Sequence, residues 1–202
     1  MIYFTSDTHY GHKNLVSGCT SWDNDKRCRK FNSLSEHDEF IVRSINSVVG
    51  YDDTLYHLGD WSFGGFDNIK KFRDRINCAN VHLILGNHDH HLENNREDCH
   101  DYFSSVQHYL EIDIEDVHII MSHWPMKVWN KYNKGSWQLH GHCHNNLQPD
   151  EWWASSKRTE RRRTMDIGLD TNSLKPWSFD ELKKIMSKLD KFGKVLDHHE
   201  KD

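Results

Sequence analysis

No stretch of the chain approaches the roughly 18 consecutive apolar residues that a membrane-spanning helix needs, so no membrane span is expected. The opening residues, MIYFTSDTHYGH, hold no basic segment followed by a long apolar one, and a secretory leader is not expected either. Positive charge is not in excess: 26 Lys and Arg stand against 31 Asp and Glu, for a net charge of −5. Without a chain-wide basic field, long nucleic acid is not an expected partner, while a small nucleotide stays open. Cysteine is sparse and unpaired in pattern. Cys19, Cys28, Cys78, Cys99 and Cys143 are odd in number and have no C-x-x-C spacing. Reduced thiols in a cytoplasmic protein are expected, not a disulfide framework.

Histidine, in contrast, is abundant, with 17 in 202 residues. It is a common metal ligand and the side chain most easily titrated near neutral pH. Aromatics at 12% are too frequent for a disordered chain. The length suits one domain, residues 1–202, with a polar tail from about 193.

Short apolar runs read as buried strands over 1–6, 54–59, 81–86, 118–122 and 137–141. HYLEIDI (108–114) alternates as a half-exposed strand would, and MDIGLD (165–170) is a further candidate. Phe40, Ile41, Ile45, Val48 and Val49 recur at helical spacing, with Ser33 or Ser35 as a cap and Gly50 after the end. Helices are also expected over 66–76 and 178–192, the latter capped by Ser178 with Glu181 three residues on. Strands alternating with helices indicate an α/β layered fold. Residues 145–164, with a charge run and adjacent tryptophans, are expected to form a surface loop.

The polar residues that follow the strands carry the chemistry. The runs end in Ser6-Asp7-Thr8-His9, in Gly59-Asp60, in Gly86-Asn87-His88-Asp89, in Ser122-His123 and in His140-Gly141-His142-Cys143-His144. A single D-x-H or H-x-H pair is near chance in so histidine-rich a chain. Placement is not: each set directly follows an apolar run, and three carry a flanking glycine that permits a sharp turn. In α/β sheets, ligands gather at the carboxyl ends of strands. A hard divalent cation that activates water favours carboxylate, amide oxygen and imidazole donors. Two such cations about 3.5–4 Å apart need a bridging ligand, which a carboxylate such as Asp60 can be and an imidazole cannot. Among these strand ends only Cys143 offers a thiol, which argues against a structural zinc site.

The ordered set D-x-H, G-D, G-N-H-D, H and G-H-x-H, from about residue 5 to 144, resembles the calcineurin-like metallophosphoesterases. DIGLD and KPWSFDEL further resemble the tail of small single-domain bacterial and phage members. The resemblance implies a four-layer αββα sandwich. It implies that Asp7, His9 and His144 hold one divalent metal ion, that Asn87, His123 and His142 hold a second, and that Asp60 bridges them. His88 would then face the phosphate and act as the catalytic acid or charge stabiliser. Manganese is the expected metal, with iron, zinc or nickel as alternatives. The longer G-D-x-x-D-R-G motif of much-studied phosphatases is replaced by GDWSFGG, so that arginine's phosphate contact is absent or comes from elsewhere, and the protein-phosphatase branch is not expected.

Other residues keep two readings. Asp89 is expected to fix the turn by bonding backbone. His12 is a candidate substrate contact, with Asn87 and His88, or a solvated loop histidine. His90 and His91 are expected at the surface, and His57, His82 and His140 in core packing. Trp129 and Trp152-Trp153 are candidates for stacking on a base, with ordinary packing as the default. KRTERRR (157–163) is a basic loop that could meet a phosphate chain. The expected function is hydrolysis of phosphodiesters or phosphomonoesters by a metal-bridging hydroxide, on a small-molecule substrate such as a cyclic or other small nucleotide. The alternatives are a non-catalytic metal-binding scaffold of the same fold, or a nuclease.

Overall fold

β-Branched and aromatic residues crowd the runs IYFT, TLYH and NVHLI, and each becomes a strand: β1 (Ile2–Thr5), β2 (Thr54–His57) and β3 (Asn80–Ile84). The computed structural model describes residues 1–23, 25–94, 99–146 and 163–189. The three strands pair in parallel, with β4 (Ser105–Gln107) parallel on β3 and β9 (Trp177–Ser178) antiparallel on β1. A second sheet takes the order β5 (Tyr109–Ile114), β6 (Val117–Ser122), β7 (Trp137–His140) and β8 (Thr164–Asp166). Its first pair is an antiparallel hairpin, and β6, β7 and β8 run parallel.

Alternation along the strands divides the core in two. Phe4, Leu58 and Ile84 meet Ile119, Met121, Trp137 and Leu139 between the sheets. Tyr3, Leu55, Val81 and Leu83 point to the other face of the first sheet. There they pack on Ile41, Val42 and Ile45 of α1 (Leu34–Asn46) and on Ile69 and Phe72 of α2 (Phe66–Arg73). Phe179, Leu182 and Met186 of α4 (Phe179–Met186) join the core between the sheets. The result is two packed sheets flanked by helices, the α/β sandwich that the resemblance implies. The outer face of the second sheet carries Ile120 under Trp129 and Tyr132. Trp129 is thus a packing residue: it is buried and its indole N–H donates to Ser136.

The helix ends follow local chemistry. The Ser33 hydroxyl accepts from the Glu36 N–H at 3.2 Å and starts α1. Ser178 and Glu181 form a reciprocal capping box at α4. Helix α2 stops at Arg73, three residues short of expectation, and Ile76 is buried by the turn that follows. Helix α4 stops at Met186; residues 190–192 of its expected span lie outside the described residues, as do the polar tail and 147–162, with Trp152-Trp153. Phe40 is turned outward at 37% exposure. Its expected place on the inner face of α1 is taken by His37 and Asp38, which join a polar network described below. Strands β4 and β9 and the five-residue α3 (His90–Asn94) are too short to leave a periodic signal in the sequence.

Phe4 has no exposed surface and lies against the Tyr56 ring at 5.4 Å. Phe4→Ala is expected to cost about 3–5 kcal/mol in denaturant unfolding, because the cavity would open where the sheets meet.

Candidate metal centre

Strands β1, β2 and β3 of one sheet and β6 and β7 of the other deliver their carboxyl ends to one rim. Backbone bonds stitch the exits together: Asp7 N–H to Gly59 O at 2.9 Å, His9 N–H to Asp60 O at 3.0 Å, and Gly141 N–H to His123 O at 2.9 Å. Leu169 N–H to Ser6 O at 3.1 Å ties in the segment after β8. Five side chains at these exits sit on left-handed backbone: Asp7, His9, Asp60, His142 and His144 have φ of 56°, 49°, 56°, 68° and 47°. Such conformations cost roughly 1–3 kcal/mol each and persist where the surroundings over-determine them. Two glycines allow the closeness. A Cβ on Gly59 (φ +97°) would lie 2.6 Å from the Gly86 N and His123 Nδ1. One on Gly141 would lie 2.0 Å from Ser6 Oγ and 2.5 Å from Asp7 Oδ2.

The seven residues expected to hold metal converge. His9 Nε2 is 3.2 Å from His144 Nε2, 3.8 Å from Asp7 Oδ1 and 3.5 Å from Asp60 Oδ2. His144 Nε2 is 3.6 Å from Asp7 Oδ1. On the other side, His123 Nε2 is 3.6 Å from Asp60 Oδ2, 3.1 Å from Asn87 Oδ1 and 3.2 Å from His142 Nδ1. Asn87 Oδ1 and His142 Nδ1 are 2.9 Å apart. Asp60 stands between the two groups. Donor atoms about 2.1 Å from one cation would be about 3.0–3.4 Å apart at octahedral or tetrahedral angles, so these spacings suit shared ions. The tautomers fit as well. The His123 Nδ1–H donates to Leu58 O at 2.8 Å, and the His144 Nδ1–H to Asp170 Oδ2 at 2.7 Å, which leaves both Nε2 lone pairs facing inward.

A supporting layer sits behind. Asp89 accepts from three backbone N–H groups: Asp60 at 2.7 Å, Gly86 at 2.8 Å and Trp61 at 2.9 Å. It fixes the turns, as expected. Arg29 is buried and spans more of the site than any sequence signal suggested. Its guanidinium donates to Asp7 O at 2.6 Å and Thr8 O at 2.9 Å, and grips Asp170 through two bonds of 2.9 Å. Asp170 in turn orients His144. His37 closes the network, 3.2 Å from Arg29 Nη1 and 2.9 Å from Asp38 Oδ1, and Asp38 accepts the Gly11 N–H at 3.0 Å. His57 is buried with its Nε2 2.9 Å from the Thr8 hydroxyl, in the core role expected of it.

His88 and His12 complete the rim. The His88 N–H donates to Asp60 Oδ1 at 2.9 Å, and its ring lies 5.4 Å from the His9 ring. His88 also forms a candidate ligand triple with His9 and Asp60. His12 is partly buried, with its Nδ1 3.4 Å from His9 Nδ1, beside the site. His90 and His91 are exposed at the start of α3.

Burial pushes the Asp7 carboxyl up to about 7, with Asp60 adding to the rise and His144 opposing it. Burial, then the neighbouring His144 and Arg29, hold His9 well below the usual imidazole range. For His144, burial disfavours the charged ring, but Asp170 and Asp7 outweigh it and raise the pKa. Buried carboxyl groups beside imidazoles make a site for which protons and a divalent cation compete.

The family model for calcineurin-like phosphoesterases matches residues 1–193, and the chain belongs to that family. Its similarities spread across phage, archaeal and bacterial proteins. An uncharacterized protein of Methanocaldococcus jannaschii, MJ1445, is 26% identical over 197 residues, spanning 96% of this chain and 94% of its own. The Gene 66 protein of Mycobacterium phage L5 is 28% identical over 83% of this chain and 86% of its own. The crystal structure of AQ665 from Aquifex aeolicus, a protein of unknown function, superposes with a TM-score of 0.66 at 24% identity, over 92% of this chain and 98% of that one, and shares the fold.

Asp170→Asn is expected to weaken divalent-cation binding about 10–100-fold in a calorimetric titration, since it removes the group that orients His144. Unchanged affinity would leave Asp170 with only a structural role. A second expectation concerns pH. A carboxyl raised from 3.8 to about 7 on folding contributes stability that is present below the lower value and lost as pH climbs through the upper one. Protons and cations compete for it, so the manganese-induced rise in unfolding temperature should grow from about pH 5 to about pH 8. A rise that shrinks over that range would contradict this.

Proposed function

We propose that this protein is a dinuclear metal-dependent hydrolase of small phosphate esters, acting on phosphodiesters and phosphomonoesters. The observation that carries this reading is the convergence of imidazole, amide and carboxylate donors from five strand ends around Asp60. Asp7, His9 and His144 would hold one cation, Asn87, His123 and His142 the other, with Asp60 common to both. Two divalent cations bound there would supply Lewis acidity to phosphoryl oxygens and draw the pKa of a water toward neutrality. Manganese is the first assignment; iron, zinc and nickel suit the same donors.

The chain's own groups do the rest. His88 is half-buried at the rim with its backbone anchored on Asp60, and it is the group assigned to protonate the leaving oxygen. Arg29 and Asp170 hold the Asp7–Thr8 turn and His144 in register. Asn87 and His142 are exposed at the rim, an open arrangement that suits diesters as well as monoesters. The net charge of −5 favours a small nucleotide over long nucleic acid. The five cysteines are free, which fits a reducing cytoplasm. A non-catalytic scaffold is disfavoured because the chain carries the full set of donor residue types together with His88.

The test is hydrolysis of bis(p-nitrophenyl) phosphate and of p-nitrophenyl phosphate in manganese, with two variants. His88→Ala should lower kcat about 10²–10⁴-fold while manganese stays bound, and Asp60→Ala should lose manganese and activity together. Full activity in His88→Ala would remove its assigned role. Hydrolysis of neither ester by the metal-loaded protein would overturn the hydrolase reading.

A further inference from the structure

Aromatic side chains border the candidate metal centre on two sides, and the proposed hydrolysis uses none of them. On the His9 side, the Phe63 ring stacks on His12 at 4.3 Å and 7°, and lies 5.4 Å from the His88 ring. Trp22 stands edge-on to His12 at 6.1 Å. On the other side, the Trp124 ring lies 5.1 Å from His123 and 6.3 Å from His142. Phe63, Trp22 and Trp124 are 41%, 44% and 42% exposed. Large aromatic rings left this open forgo burial that the fold gives to most of its other rings.

The open rings rest on held backbone. The Phe63 N–H donates to Tyr10 O at 2.7 Å, and its C=O accepts from Asn68 Nδ2 at 2.7 Å. The Trp124 C=O accepts from the Ser122 hydroxyl at 2.6 Å and from Gln138 Nε2 at 3.3 Å. The two platforms flank the donor cluster, one beside each group of donors. A ligand with its phosphate at the centre would extend its ester arm over a flat, uncharged π-face. Among biological phosphate esters, a nucleoside supplies such an arm, and stacking accepts any base because each has a π-face.

We propose that Phe63 and Trp124 are stacking platforms for the base of a nucleotide, and that the phosphate ester handled at this centre carries a nucleoside. This rests on the phosphoesterase reading above and narrows its substrate class. Adenosine 5′-monophosphate, ribose 5-phosphate and inorganic phosphate, titrated calorimetrically into the manganese-loaded protein, separate the two. The expected result is that the nucleotide binds about tenfold more tightly than the sugar phosphate, about 1.4 kcal/mol. In the double variant Phe63→Leu, Trp124→Leu that advantage should vanish while inorganic phosphate binds as before. Both positions are open to solvent, so the fold should survive the change, and the phosphate titration checks that it has. Equal binding of nucleotide and sugar phosphate by the unaltered protein would overturn the platforms and leave the hydrolase reading standing. So would an advantage that persists in the double variant. Failure of inorganic phosphate to bind the metal-loaded protein would overturn the phosphoesterase reading and this inference with it.

Discussion

Carboxyl groups buried among imidazoles are the constraint on which the rest depends. Asp7 and Asp60 lie at the meeting of two sheets with almost no exposed surface, and imidazole lone pairs face them from both sides. Arg29, a cationic side chain that grips the turn, spends its donors on the carbonyls of Asp7 and Thr8 and on Asp170, not on the inward carboxylates. A core built this way is costly while its carboxyls are ionised, and either a proton or a bound cation relieves the cost. On the proposed reading, the fold gathers the donors at spacings that ions would complete.

Several features that are costly alone make sense together. Left-handed backbone at five donor residues, and Gly141 packed where a Cβ would strike Asp7, all bring chain exits closer than ordinary turns allow. Asp89 offsets part of that cost by accepting three N–H groups from two different exits. The Arg29–Asp170–His144 chain does the same for the exits after β1 and β7. Rigidity of this kind keeps reactive groups in place without reorganisation at the moment of reaction.

Much of the centre is legible in the sequence because polar and ionisable side chains directly after a buried strand are costly unless something binds them. Asp7, Asp60, Asn87 and His123 each stand out that way, and the turn-holding role of Asp89 follows from its place beside them. Arg29 leaves no such trace. It lies in a loop without periodicity and reaches a partner 141 residues away. Asp170 lies inside a recognised run, DIGLD, but nothing in the run indicates that it faces an imidazole. The inner face of α1 misleads for the same reason: hydrophobic spacing places Phe40 inward, whereas His37 and Asp38 occupy that face to serve Arg29 and Gly11. Strands of two or three residues, as in β4 and β9, carry too little pattern to stand out and are held by their neighbours.

The most direct measurement is anomalous diffraction at the manganese edge from crystals grown with that ion. The account requires two peaks about 3.5–4 Å apart, one on either side of the Asp60 carboxylate. A single peak, or peaks away from Asp60, would contradict it.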